Sequence, residues 1–321
     1  MKLVDIGERS LVKKILGFLE SVPFIGDDSA CIPYGDKFIL ATIDSTWRRT
    51  HFPAEMKPKQ IGWFVTAISL SDIAAMGGHP LAVLVSIALP KESEEEMVLE
   101  IVEGAEECAR KYNVHVVGGD TKEHKELTLS GVAIGEVEKS KVLLRKGLEV
   151  GNFVAVTGPL GGAGAAYIAI RNKIRGISLD RLLKPTPRIK EGIDLSKFCL
   201  ATSCMDISDG LALTLYQLSE INGVGFRIYK EKLPIAREAI EVAKYLEMDA
   251  SSIALFYGGD YELIFGIRRE KVEDAIERMG KDKVRIIGEV VEERRITLVR
   301  NGEEEEIPDR GFEHFRKENY L

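Results

Sequence analysis

The stretch over residues 63–80, WFVTAISLSDIAAMGGHP, constrains this chain more than any other. Ile61, Val65 and Ile68 recur at helical spacing, and Asp72 falls on the same i, i+4, i+7, i+11 series. Pro58 suits a first helical turn, and Gly77-Gly78 followed by Pro80 is a strong stop. The pattern predicts a helix that turns a carboxylate toward the interior, where an unpaired charge is expensive. A fold built on this helix has to bring something cationic to Asp72.

Other acids fall at similar places. Strand-like runs at 29–32 and 38–43 flank the turn residues Pro33, Tyr34, Gly35 and Asp36, which predicts a hairpin. Antiparallel pairing then sets Asp27 and Asp28 beside Asp44. A helix is expected over 3–19 and a buried strand over 81–89. Ser93 and Glu96 read as a capping box for a helix reaching about Tyr112. A strand at 114–117 is expected to give way to a turn at Gly118-Gly119-Asp120-Thr121, whose glycines allow backbone N–H groups close to a ligand, and residues 127–137 form the next strand. The charged stretch 138–149 marks a boundary near residue 145, giving domains 1–145 and 146–321. After it, GNFVAVTGPLGGAGAA lacks both the Gly-Lys-Ser/Thr ending of a P-loop and the full GxGxxG spacing, so it reads as close strand–helix packing. Residues 201–205 read as a strand leading to Asp206, with Ser208 and Asp209 as caps of a helix reaching about Ile221. A phosphate suits such a helix start. Asp260 lies in a last glycine-acid junction, YGGDYE, before a strand at 263–267.

Collected, Asp27, Asp28, Asp44, Asp72, Asp120, Asp206, Asp209 and Asp260 stand at strand or helix ends. Two carboxylates about 4 Å apart repel by roughly 4 kcal/mol at an effective dielectric near 20. Oxygen donors without His or Cys point to Mg²⁺ or Mn²⁺ rather than zinc, and so many acids imply several ions around a nucleotide. Phosphoryl transfer is the natural chemistry; calcium binding lacks an EF-hand loop, and a glycosidase needs only one carboxylate pair. A net charge of −7 without a basic run argues against a nucleic-acid or anionic-membrane surface. No segment approaches the apolar length of a membrane span and no secretory leader is evident, so the chain reads as cytoplasmic. Cys31, Cys108, Cys199 and Cys204 form no metal spacing and read as reduced core cysteines.

These motifs in this order, GDDSA (26–30), ATIDSTWRRTHF (41–52), SLSDIAAMGGHP (69–80), GGDT (118–121), SGVAIGEV (130–137), MDISDGL (205–211) and GGDYELIF (258–265), resemble the thiamine-monophosphate kinase family. That family shares the ATP-binding superfamily of aminoimidazole ribonucleotide synthetase. The resemblance implies an α+β, two-domain fold: N-terminal domains pairing into a dimeric β-barrel, with a C-terminal α/β sandwich. It implies phosphorylation of thiamine monophosphate by ATP to thiamine diphosphate, in a homodimer using several Mg²⁺ ions. Carried over by motif, Asp27, Thr42, Asp44, Asp72, Asp120, Asp206 and Asp209 match metal ligands, and Ile43 offers only its backbone carbonyl where the family often has a hydroxyl. Gly119, Asp120, Arg145 and Ser208 match ATP contacts; His51 and Phe312 match substrate contacts. Asp44, Asp72, Asp120 and Arg145 would carry the catalytic charge stabilisation. The family's GGEDYEL is here GGDYEL, one acid shorter, which leaves Asp260 for the remaining substrate contact.

Within the superfamily, selenophosphate synthetase would need a reactive Cys or selenocysteine in a Gly-rich N-terminal segment, and the hydrogenase-maturation relative a C-terminal cysteine. This chain has neither. Aminoimidazole ribonucleotide synthetase is the nearest enzyme rival, and a nucleotide-binding sensor without turnover is the rival from another class.

Overall fold

The computed structural model describes residues 2–19 and 24–315. The chain begins with α1 (Leu3–Phe18), β1 (Ala30–Tyr34), β2 (Lys37–Trp47), α2 (Arg48–His51), α3 (Pro58–Ala75), β3 (His79–Leu89), α4 (Glu95–Lys111), β4 (Val116–Glu123) and β5 (Thr128–Glu138). It continues with β6 (Phe153–Val156), α5 (Gly162–Asn172), α6 (Asp180–Leu183), α7 (Ile189–Lys197), β7 (Ala201–Asp206), α8 (Leu211–Asn222) and β8 (Gly225–Tyr229). It ends with α9 (Arg237–Tyr245), α10 (Ala250–Phe256), β9 (Leu263–Ile267), α11 (Val272–Met279), β10 (Arg285–Val291), β11 (Ile296–Arg300) and β12 (Glu303–Glu306). Two compact units result. One holds Asp28–Val142 and Leu183–Lys197; the other holds Met1–Asp27, Leu143–Leu182 and Phe198–Leu321. Neither is continuous in sequence, because long-range pairs draw distant segments in. Arg9 bridges to Asp309 at 2.6 Å in one unit, and Trp63 Nε1 donates to the Pro185 carbonyl at 2.9 Å in the other.

The first unit is a five-stranded sheet in the order β1-β2-β5-β3-β4, antiparallel except for the β3–β4 pair. The expected hairpin is present, with Ala30 opposite Ala41 and Tyr34 opposite Lys37, so its turn is only Gly35-Asp36. Gly35 at φ +58 supplies the left-handed conformation that such a turn requires. Helix α3 departs from a one-sided stripe: every residue from Ile61 to Ala75 is buried except Asp72, which is partly exposed. It is covered all round, by the sheet, α4 and α7. Close approach to α4 needs two glycines, since a Cβ on Gly62 would lie 1.8 Å from the Ile101 carbonyl oxygen, and one on Gly104 1.9 Å from that of Lys59. The Ser93–Glu96 capping box does not form; α4 starts from Glu94 with no side-chain cap.

Along the sheet, Phe38, Leu40, Val83, Val85, Ile87, Leu129, Ala133 and Val137 fill the helix-covered face. The other face carries Ile32, Ile43, Leu84, Val132 and Ile134 and has no helix over it within this unit; Ile43 is 68% exposed.

The second unit is a seven-stranded mixed sheet in the order β12-β11-β8-β10-β6-β9-β7, around a core that includes Phe226, Ile264, Leu215 and Ile287. Neither sheet closes into a barrel. Cys108 and Cys204 are buried as expected, whereas Cys199 is exposed and Cys31 only partly covered. No helix among the described residues is long and apolar enough to cross a membrane.

Candidate active site

Within the five-stranded unit, the helix-covered face of β2 presents Thr42 and Asp44 to α3. Thr42 Oγ1 donates a hydrogen bond to Asp72 Oδ2, and Ser69 Oγ donates to Asp44 Oδ2 at 3.0 Å. Gly131 makes room for the latter, because a Cβ there would lie 2.6 Å from Ser69 Oγ. Asp28, buried just before β1, places a carboxylate oxygen within 4.8 Å of one from Asp72. Burial pushes the Asp44 carboxyl up to about 6; the Ser69 bond opposes this and the Asp28 charge adds to it. The expected Asp28–Asp44 convergence is thus present. Asp72 here meets the Thr42 hydroxyl and the Asp28 carboxylate. Asp28 and Ser69 are absent from the motif-derived ligand set, although Asp28 directly follows Asp27.

Asp120 stands apart. The expected turn at 118–121 is instead part of β4, with Gly119 beside Val85 and Asp120 beside Ser86. Alternation therefore puts Asp120 on the face opposite Asp44; its carboxylate is exposed, 3.4 Å from Lys122 Nζ. Gly119 serves close strand approach, since a Cβ would lie 2.0 Å from the Val85 carbonyl oxygen. Ile43 turns its side chain to the uncovered face. His51 ends α2, its Nδ1 accepting from the Trp47 N–H at 3.3 Å and its ring edge-on to Trp47.

The seven-stranded unit carries the remaining candidates. Asp27 Oδ1 accepts from the Arg145 backbone N–H at 2.9 Å, and the Arg145 guanidinium donates to the Gly26 carbonyl at 3.3 Å. Asp206 ends β7, buried. Ser208 and Asp209 do not cap α8; the cap position is Gly210 at φ 104, with no side-chain bond. The Ser208 carbonyl instead accepts from the Gly259 N–H at 2.7 Å, and that of Asp209 accepts from the Phe312 N–H at 3.1 Å. Burial, reinforced by Glu8 and opposed by Arg145 and Arg9, pushes the Asp209 carboxyl up to about 7. The Phe312 ring lies edge-on to His314, and the His314 N–H donates to Glu8.

Asp260 is held by backbone donors of its own unit. Its two oxygens accept from the Gly161 and Ala163 N–H groups at 2.6 and 3.2 Å, at the start of α5, and it is 7% exposed. The Gly-rich turn is the close-packed strand–helix junction expected: a Cβ on Gly162 would meet Arg181, and one on Gly164 would meet Tyr257. Burial pushes the Asp260 carboxyl up to about 7 against those two bonds.

This two-domain mixed fold with paired acidic loops is that of the AIR synthase related proteins. The N-terminal domain model of that group matches residues 26–137, and the C-terminal domain model matches 149–301. The relatives narrow the assignment. The chain is 34% identical over 299 residues to thiamine-monophosphate kinase of Pyrococcus horikoshii, covering 92% of this chain and 93% of that one. It is 35% identical over 293 residues to the Methanospirillum hungatei enzyme, covering 90% and 92%. Among solved structures, AaThiL complexed with AMPPCP and TMP superposes with a TM-score of 0.88 at 30% identity, over 98% of this chain and 99% of that one. The chain belongs to the thiamine-monophosphate kinase family. The hydrogenase maturation protein HypE of E. coli, at 20% identity and a TM-score of 0.72 over 92% and 97% of the two chains, shares the fold.

Proposed function

We propose that this protein transfers the γ-phosphoryl group of ATP directly to the phosphate of thiamine monophosphate, giving thiamine diphosphate and ADP. The observation that carries the reading is the match over nearly the whole chain to a structure complexed with AMPPCP and TMP. The acceptor needs no general base, because a phosphate monoester has its second pKa near about 6 and is mostly dianionic at neutrality. The barrier is repulsion between anions and their alignment.

The donor set fits a hard divalent cation. Asp28, Asp44 and Asp72 supply only oxygen, and a carboxylate oxygen of Asp28 lies within 4.8 Å of one of Asp72. In the five-stranded unit Thr42, Asp44 and Asp72, with the Ile43 carbonyl and with Asp28 added, would hold Mg²⁺, and Asp120 on the other face would hold a further ion; in the seven-stranded unit Asp27, Asp206 and Asp209 would be metal ligands. Bound there, Mg²⁺ would offset phosphate charge and orient the oxygens for in-line transfer. Gly119, Asp120, Arg145 and Ser208 would contact ATP, with Arg145 adding fixed positive charge. His51 and Phe312 would contact thiamine monophosphate. Asp260, engaged by the Gly161–Ala163 backbone, would act on the substrate through that turn. The uncovered apolar face of the five-stranded sheet supports a homodimer in which two such faces pair. Residues 1–145 would then supply pairing and most metal ligands, and residues 146–321 the α/β half, in a cytoplasmic enzyme.

The test is a discontinuous assay with Mg-ATP and thiamine monophosphate that measures thiamine diphosphate and ADP together. Equal, magnesium-dependent amounts of both are expected. ADP alone, or neither product, would remove this substrate and bring the aminoimidazole ribonucleotide synthetase reaction forward.

A further inference from the structure

On the reading that thiamine monophosphate is the substrate and that Phe312 touches it, we propose that Glu8 is a specificity-determining residue whose carboxylate receives the positive thiazolium ring. The backbone singles Glu8 out first. Gly7, buried and at φ +73, interrupts the helical run of α1, and Glu8 opens the part that follows. Glycine takes that conformation at little steric cost, so the break is written into the sequence immediately before the carboxylate.

The break delivers Glu8 to the C-terminal tail of the same unit. Glu8 Oε2 accepts from the His314 N–H at 3.1 Å. His314 is two residues past Phe312, roughly 7 Å of extended chain. The two rings are edge-on with centroids 4.6 Å apart. The Phe312 N–H donates to the Asp209 carbonyl at 3.1 Å, and the Glu8 charge reaches the Asp209 carboxyl. One carboxylate thus stands close both to an aromatic ring and to a loop proposed to bind metal.

Glu8 also has capacity left over. The cation next to it in sequence is engaged elsewhere: Arg9 Nη2 lies 2.6 Å from Asp309, and its Nε lies 4.0 Å from Glu313. Glu8 itself is half-buried and has no ion-pair partner among the described residues. Its second oxygen, Oε1, accepts no hydrogen bond from them and stays open to solvent. Asp260 differs, since backbone N–H groups take both of its oxygens. The chemistry of the substrate supplies what Glu8 lacks. A thiazolium carries a permanent positive charge on an aromatic ring, and a ring face together with a carboxylate holds such a cation.

The test compares thiamine monophosphate with its thiophene analogue, in which a neutral ring replaces the thiazolium, on the full chain. The natural chain should bind the neutral analogue at least about tenfold more weakly. Glu8→Gln still offers an oxygen to the His314 N–H, so its melting temperature should match that of the natural chain. It should raise KM for thiamine monophosphate by about tenfold, with kcat and KM for ATP within about threefold. It should also bring the two ligands within about threefold of each other, whereas Glu8→Asp, which keeps the charge, should restore the preference. Equal affinity of the natural chain for both ligands would overturn the role without any variant. So would an unchanged KM in folded Glu8→Gln, or a shift confined to the magnesium requirement, which would make Glu8 a metal ligand instead. A natural chain that makes no thiamine diphosphate would remove the kinase reading itself, and this role with it.

Discussion

Asp44 and Asp260 are both half or fully covered carboxyls held above their ordinary range, to about 6 and about 7, yet their surroundings differ in kind. Asp260 has backbone N–H groups on both oxygens, contributed by a turn 99 and 97 residues away in the chain. Asp44 has one hydroxyl, from Ser69, and a neighbouring carboxylate charge. The first is closed by the protein itself. The second is arranged so that charge from outside is required. A raised carboxyl thus identifies a ligand site only when the local donors fail to account for its oxygens.

Substitution should separate the two most sharply. Asp44→Asn and Asp72→Asn are each expected to lower kcat by at least about 10², with a melting temperature at pH 8 no lower than that of the natural chain, because charge stabilisation is the main catalytic effect. Near-normal turnover with unchanged magnesium dependence would take both out of the site. Asp260→Ala should do the reverse, lowering stability by about 3 kcal/mol in chemical denaturation through two orphaned N–H groups. A stable Asp260→Ala protein with only a raised KM for thiamine monophosphate would restore it as a direct contact.

A smaller effect comes from pH. Both folded-state carboxyls are raised, so between about pH 4 and about pH 7 the native chain holds protons that the unfolded chain has released, and stability falls as pH rises through that window. Melting without divalent ions should therefore be lower at pH 8 than at pH 5. Added magnesium should recover the Asp44 share but not that of Asp260, and the recovery should vanish in Asp44→Asn. Equal recovery in that variant would place the ion elsewhere. The smallest change is expected for Ser69→Ala. Losing the bond that lowers the Asp44 carboxyl should move the acid limb of the rate profile upward by a few tenths of a pH unit, with kcat at pH 8 altered less than about threefold. An unmoved limb would mean that another group sets it.

Features governed by neighbours in sequence are legible from the residues alone. The β1–β2 hairpin follows from alternation and turn residues, and α3 from its Pro58 start and Gly77-Gly78 stop. Asp120 was misplaced because Gly118-Gly119 reads as a turn, whereas those glycines let β4 lie close to Val85. The backbone partners of Asp260 were not legible because they are remote in sequence. The same holds for Ser208 and Asp209, good capping types displaced from the cap by Gly210, and for the two discontinuous units, which rest on pairs such as Arg9 with Asp309.

The loop bearing Asp206 and Asp209 is tied on one side by Phe312, whose N–H reaches the Asp209 carbonyl, while His314 and Glu313 engage Glu8 and the Arg9 N–H near the start of the chain. This sets an order during synthesis. A nascent chain can complete its five-stranded sheet, whose strands end at Glu138, well before residues 312–314 emerge to give this loop its last supports. Products of premature termination would therefore keep most of their architecture while lacking a finished Asp209 loop.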